Sequence, residues 1–201
     1  MPPAKRYDVL VTASKHPGQT WLKTLTYFQG DDTYPTVNLM QLKVSGDLLP
    51  SLPLPTGTIP TSHPNLASAP IAQKRTLNLS ESADGSVMYI NGKNFSMNKS
   101  IFGAPAILGT VEQWTILNET TETHPFHIHT DHFQVMSTNG LSQPYIGEQD
   151  IVTVPPKKDG IPGKVVIRIA FTDFLGRVMF HCHIAAHEDA GMMSFINVVK
   201  G

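Results

Sequence analysis

Seven of the nine histidines and the only cysteine fall in two short runs, HPFHIHTDHF from His124 and HCHIAAHEDAGMM from His181. Imidazole nitrogen and thiolate sulfur are donors for transition metals, whereas hard cations prefer oxygen. A thiolate with two imidazoles in a trigonal set, plus a weak thioether, is the ligand set of a copper electron-transfer site. Cys182, His187 and Met192 are spaced by five and five residues, and His124 is available from upstream. Zinc also takes imidazole and thiolate, but the chain has no second cysteine and zinc has no use for Met192. A lone cysteine is commonly a small buried apolar residue; the histidines on both sides of Cys182 weaken that reading.

The other histidines form a second pattern. His127 and His129 are two apart, as are His181 and His183. Side chains two apart on a strand share a face, and sequence neighbours take opposite faces. Two such pairs side by side direct four imidazoles at one point while Cys182 points the other way. A metal on the thiolate would then lie a few covalent bonds from a neighbouring cluster. His132 falls outside this spacing and reads as a surface or supporting residue, and His16 and His63 as solvated. Met193 reads as core, and Asp189 as a loop charge. Asp150 is either a partner for an imidazole near the thiolate site or an ordinary strand-edge residue.

Short strands must position these residues. Residues 6–44 carry β-prone runs, YDVLVTA, TWLKTLTYF and VNLMQLKV, broken by HPG and GDD. Residues 45–70 hold six prolines and little charge, which predicts an extended linker along a surface. From residue 71, eight runs (KRTLNLS, SVMYINGK, VEQWTILN, FQVMS, DIVTVPP, KVVIRIAF, RVMFHCHI and SFINVV) alternate with turn clusters. That is the pattern of an antiparallel sandwich or barrel. IAAHEDAG is the one helical candidate. The net charge of −1, with Lys and Arg scattered, gives no nucleic-acid surface, and no apolar run is long enough for a membrane span. The N-terminus lacks the basic-then-apolar order of an export signal, and a single cysteine leaves the redox compartment open.

The two histidine runs resemble the third and fourth copper signatures of multicopper oxidases, the laccase and bilirubin-oxidase-like enzymes, in their C-terminal cupredoxin domain. MYINGKNFSMN, GTVEQWTILN and DIVTVPP look like strand landmarks of the same domain. RYDVLV and the strands after it look like the tail of the preceding one. The resemblance implies an all-β, cupredoxin-like Greek-key sandwich or barrel over 71–201, a linker over 45–70 and a domain remnant over 1–44. It implies that His124, Cys182 and His187 bind type 1 copper with Met192 as axial ligand. His127 would bind type 2 copper, and His129, His181 and His183 the type 3 pair. Glu188 matches a family carboxylate that delivers protons, with capping or a loop salt bridge as the other reading.

The function so implied is oxidation of a small-molecule or metal-ion reducing substrate, one electron at a time, coupled to reduction of dioxygen to water. His187, on an exposed rim, would receive the electron, and Cys182 would pass it to His181 and His183. The parent enzyme would be periplasmic or secreted. The family's cluster uses eight histidines, and this chain holds four of them. The rest are expected from N-terminal domains or another chain. The alternative is a catalytically idle copper-binding or electron-transfer domain.

Overall fold

A computed structural model describes residues 1–50, 52–57 and 64–201. The chain divides into two compact units, one of Arg6–Pro60 and one of Met1–Lys5 with Thr61–Gly201. His63 lies outside the described residues.

In the smaller unit, β1 (Gly18–Thr24) pairs antiparallel with β4 (Val37–Val44), and β2 (Tyr27–Phe28) with β3 (Thr33–Tyr34). The expected strand at YDVLVTA is absent, for residues 7–13 carry no regular structure. Apolar composition favours a strand only where a neighbour pairs its backbone and a face covers its side chains. Val9, Leu10 and Val11 have neither cover, being 70% exposed or more.

The larger unit opens at the end of the proline-rich stretch. That end is not the expected extended surface strap. Leu66–Ser68 forms a 3-10 turn capped by Asn65, whose side chain accepts from the Ala67 N–H. Leu66 is buried, its N–H donates to Gln134 Oε1 at 2.6 Å, and Arg168 donates to the Leu66 and Ala67 carbonyls. Side chains of the sandwich thus satisfy the backbone of this stretch, as buried peptide groups require.

Two sheets follow. One runs β11 (Leu141–Ser142), β10 (Phe133–Thr138), β13 (Gly163–Ala170), β8 (Val111–Asn118), β5 (Ile71–Glu81), β6 (Met88–Ile90). The other runs β12 (Ile151–Val154), β9 (His124–Ile128), β14 (Gly176–Cys182), β15 (Met193–Val199), β7 (Ala106–Ile107). Pairing is antiparallel except β5 with β8 and β15 with β7. Alternation in VEQWTILN buries Glu112, Trp114, Ile116 and Asn118 from β8. Trp114 meets Phe126 and Phe180 of the other sheet in edge-on contacts, so one core joins both layers. Among the described residues the larger unit is an all-β sandwich with one short α-helix, α1 (Ala185–Asp189). Among the described residues no helix is long and apolar enough to cross a membrane.

Candidate metal centre

The register of β9 against β14 sorts the donors into two groups. Cys182 pairs with Phe126 and His181 with His127, and directly opposed residues of an antiparallel pair share a face. His124, Phe126, Phe180 and Cys182 therefore face the core, and His127 and His181 face away. After β14 the chain turns into α1, which returns His187 to the core side. His187 is only 8% exposed, although Ala185, Ala186 and Asp189 around it are exposed. This corrects the expectation of an exposed His187 rim, because one helical turn points a single residue inward.

The inner group is compact. Cys182 Sγ lies 3.6 Å from His124 Nδ1 and 3.7 Å from His187 Nδ1, and the two Nδ1 atoms are 3.1 Å apart. Each imidazole is held from its far side. His124 Nε2 is 2.7 Å from Thr120 Oγ1, and His187 Nε2 is 3.1 Å from Glu122 Oε2. With the proton on Nε2 toward these partners, both Nδ1 lone pairs face the sulfur. Burial, then repulsion from His187, takes His124 down to about 3, so it stays neutral and able to donate to a metal. Burial pushes the Cys182 thiol up to about 12, with the charges of Glu122 and Glu188 adding to it. A thiol so placed becomes a thiolate only when a cation replaces its proton. Met192 is buried and tied by its backbone to both neighbours: its N–H donates to His187 O, and its carbonyl accepts from Cys182 N–H. Met193 is half-buried on β15.

The outer group uses the opposite nitrogen. His127 Nδ1 lies 2.7 Å from the Asp150 carbonyl, and His181 Nδ1 lies 2.9 Å from the Cys182 carbonyl and 3.1 Å from Glu188 Oε2. These acceptors place the proton on Nδ1 and free Nε2 as donor. His129 Nε2 and His181 Nε2 approach to 3.1 Å, and one nitrogen each of His127, His129 and His181 lies within 4.8 Å of the others. His183 stands at the edge, its ring 5.3 Å from that of His127 and 5.4 Å from that of His181. Burial, ahead of mutual repulsion, lowers His127 and His129 below the usual histidine range. Asp150 thus supports His127 in the outer group, not an imidazole of the thiolate site. His132 is exposed beside an open cleft that His127, His129 and Asp150 also line. His16 is exposed in the smaller unit, and Asp189 is exposed on α1.

Two imidazoles and a buried sulfur, with both Nδ1 atoms within 3.7 Å of the sulfur, are a fitting set for copper. Residues 63–201 match the family model described as multicopper oxidase. This chain belongs to the multicopper oxidase family. It is 29% identical to a laccase of Bacillus subtilis (strain 168) over 95% of its own length and 40% of that laccase. It is 36% identical to the bilirubin oxidase of Albifimbria verrucaria over 56% of its length and 20% of that enzyme. A laccase-like multi-copper oxidase from Ochrobactrum sp. superposes with a TM-score of 0.68 at 27% identity, over 90% of this chain and 42% of that one. The chain therefore spans about two fifths of the full-length laccase it matches. Multicopper oxidases are copper oxidoreductases that use dioxygen, and their cupredoxin fold is the fold found here.

Thr120 and Glu122 escaped the sequence reading. They lie in the bend between β8 and β9, where strand periodicity gives no signal.

The exit from α1 also constrains the centre. Gly191 has φ +109, and a Cβ there would sit 1.7 Å from Asn94 Nδ2. That amide bonds the Ala190 carbonyl, and Met192 follows directly. Gly191→Ala is expected to cost about 1–3 kcal/mol, read as a lower urea midpoint at unchanged slope.

Proposed function

We propose that this chain carries the thiolate copper centre and half of the oxygen-reducing cluster of a laccase-like multicopper oxidase. One observation carries the reading. His181 and Cys182 are sequence neighbours on one strand, yet they belong to donor groups on opposite faces of the sheet. Copper, when bound, supplies one-electron redox chemistry at the inner group and dioxygen reduction at the outer group. His124, Cys182 and His187 would hold the inner ion, with Met192 the axial ligand. His127 would hold the type 2 ion, and His129, His181 and His183 the type 3 pair.

The residues of this chain divide the remaining work. Cys182 and its peptide neighbours form the shortest covalent connection between the two groups. Glu188 orients His181 through Nδ1 and, being 33% exposed, can exchange protons with solvent next to the outer group. The buried core between the sheets keeps water from the sulfur.

The chain has no His-x-His pair beyond 127/129 and 181/183, so four cluster ligands come from elsewhere, as N-terminal domains or as another chain. The unit Arg6–Pro60 belongs, in this reading, to a preceding cupredoxin domain. The 95% alignment to a laccase supports that, as do Trp21, Leu22 and Met40, which stand 44–50% exposed. The substrate is a small one-electron donor, organic or metal ion. The Ochrobactrum oxidase is described as having oxidase activity towards lignin model compounds and lignosulfonate. The missing ligands favour a second reading for the chain in isolation, an electron-transfer copper domain.

Copper loading of the isolated 201-residue chain, followed by metal analysis, EPR and oxygen uptake with a phenolic reductant, decides between them. The expected result is an intensely coloured one-copper species without sustained oxygen uptake. Robust four-electron turnover by the lone monomer would overturn the view that half of the cluster is supplied from outside.

A further inference from the structure

The turn between β8 and β9, Asn118-Glu119-Thr120-Thr121-Glu122, supplies both far-side partners of the inner imidazoles, and its construction is closed on itself. Asn118 is fully buried; its Nδ2 donates to the Glu122 carbonyl at 2.6 Å and the Pro155 carbonyl at 2.9 Å. Its Oδ1 accepts from the Thr120 N–H and hydroxyl, both at 2.9 Å. The Glu122 N–H donates back to Thr120 Oγ1 at 3.2 Å. These bonds hold Thr120 and Glu122 where His124 and His187 meet them. The two contacts differ in kind: His124 meets a neutral hydroxyl, and His187 meets a carboxylate that is 8% exposed.

We propose that this turn is a clamp on the inner centre in which Glu122 is a positioning residue, fixing the His187 ring and strengthening Nδ1 as a donor. The inference rests on the copper reading above. Ring N–H groups of metal-binding histidines are held by carboxylates or carbonyls that fix the tautomer and raise ligand basicity. A negative charge held out of water beside one imidazole acts through a lower dielectric than a surface charge does. It stabilises the more highly charged cupric state over the cuprous state. Glu188 contacts His181 in a comparable way, but it is more exposed and shares that nitrogen with the Cys182 carbonyl. The clamp therefore makes the two inner imidazoles unequal donors.

Glu122→Gln keeps the shape and an acceptor oxygen but deletes the charge. Competition titrations of the copper-loaded chain with cupric and cuprous chelators give the two affinities. The expected result is that the cupric-to-cuprous affinity ratio falls about tenfold or more, equivalent to a potential about 59 mV higher per tenfold for one electron. The visible thiolate band should shift with it. Thr120→Val, which removes a neutral partner, should change the ratio less. Glu119→Gln serves as the control, because Glu119 is exposed and pairs with Lys157 at 3.6 Å; it should leave the ratio unchanged. Circular dichroism and thermal unfolding of each variant establish that it is folded. If Glu122→Gln is folded and coloured at the parent's affinity ratio, Glu122 has only a structural part and the proposal is wrong. If Glu119→Gln shifts the ratio equally, the effect is general surface charge and the clamp is again overturned. A parent chain that never develops a thiolate–copper band removes the copper reading itself, a different failure.

Discussion

Cys182→Ser is expected to give a folded protein that stays colourless on copper loading and binds the metal at least about a hundredfold more weakly. A hundredfold is the upper range for losing an outer partner of a metal ligand, and here a ligand itself is lost. The thiolate is the strong soft donor of the inner group, with the Met192 thioether a weak one, and it sets the preference for copper over oxygen-seeking cations. Serine's hydroxyl is hard and gives up its proton far less readily than a thiol. Folding should survive, because serine is close in size and its hydroxyl can bond to the Nδ1 atoms of His124 or His187, which lie 3.6 and 3.7 Å from the present sulfur. The cost is about 1–2 kcal/mol for burying the extra polarity. Visible spectra with a chelator competition, alongside circular dichroism, measure both halves of this expectation. Unchanged colour and stoichiometry in a folded variant would remove the copper assignment, whatever the family.

Much of this centre was legible because strand periodicity is a strong constraint. VEQWTILN and VNLMQLKV coincide with β8 and β4; in β8 alternation fixes which side chains the sheet buries, whereas β4 buries none of its residues. The same period of two sets Cys182 and His181 on opposite faces from their spacing alone. Periodicity says nothing about pairing, however, so YDVLVTA reads as a strand although no described neighbour covers it. Two-residue strands such as Ala106–Ile107 carry no period at all. Partners set by tertiary packing were equally invisible. Asp150 reaches His127 only because β12 pairs with β9, and Glu122 reaches His187 across 65 positions of sequence. The inward turn of His187 depends on α1 being a single turn between two strands. Composition marks that segment as helical but not which of its faces is covered.

Loss of Arg75 tests how far the core supports the centre. Arg75→Ala is expected to destabilise the protein by about 3–5 kcal/mol, the penalty for leaving one member of a buried ion pair alone. Glu112 is 1% exposed and receives two charge-assisted bonds from Arg75, at 2.6 and 2.7 Å. Arg75 also donates to the carbonyls of Ala104 and Pro105 and lies 4.7 Å over the Phe102 ring. Without it, among the described residues Glu112 keeps only the Trp114 indole N–H, at 2.8 Å. The stranded carboxylate must then take up a proton or open the sheet to water, and either change loosens Trp114. Trp114 packs on Phe126 and Phe180, which belong to the donor strands β9 and β14, so the variant should also bind copper less tightly. The double change Arg75→Met with Glu112→Gln removes both charges of this pair and preserves an acceptor for the indole. It should recover most of the stability, since apolar or neutral replacements of buried pairs are often close to neutral. Urea unfolding of the parent, Arg75→Ala and the double variant measures the loss and its recovery. A loss below about 1 kcal/mol for Arg75→Ala would place the pair among weak surface contacts and cut the energetic link from β5 to the metal-binding strands.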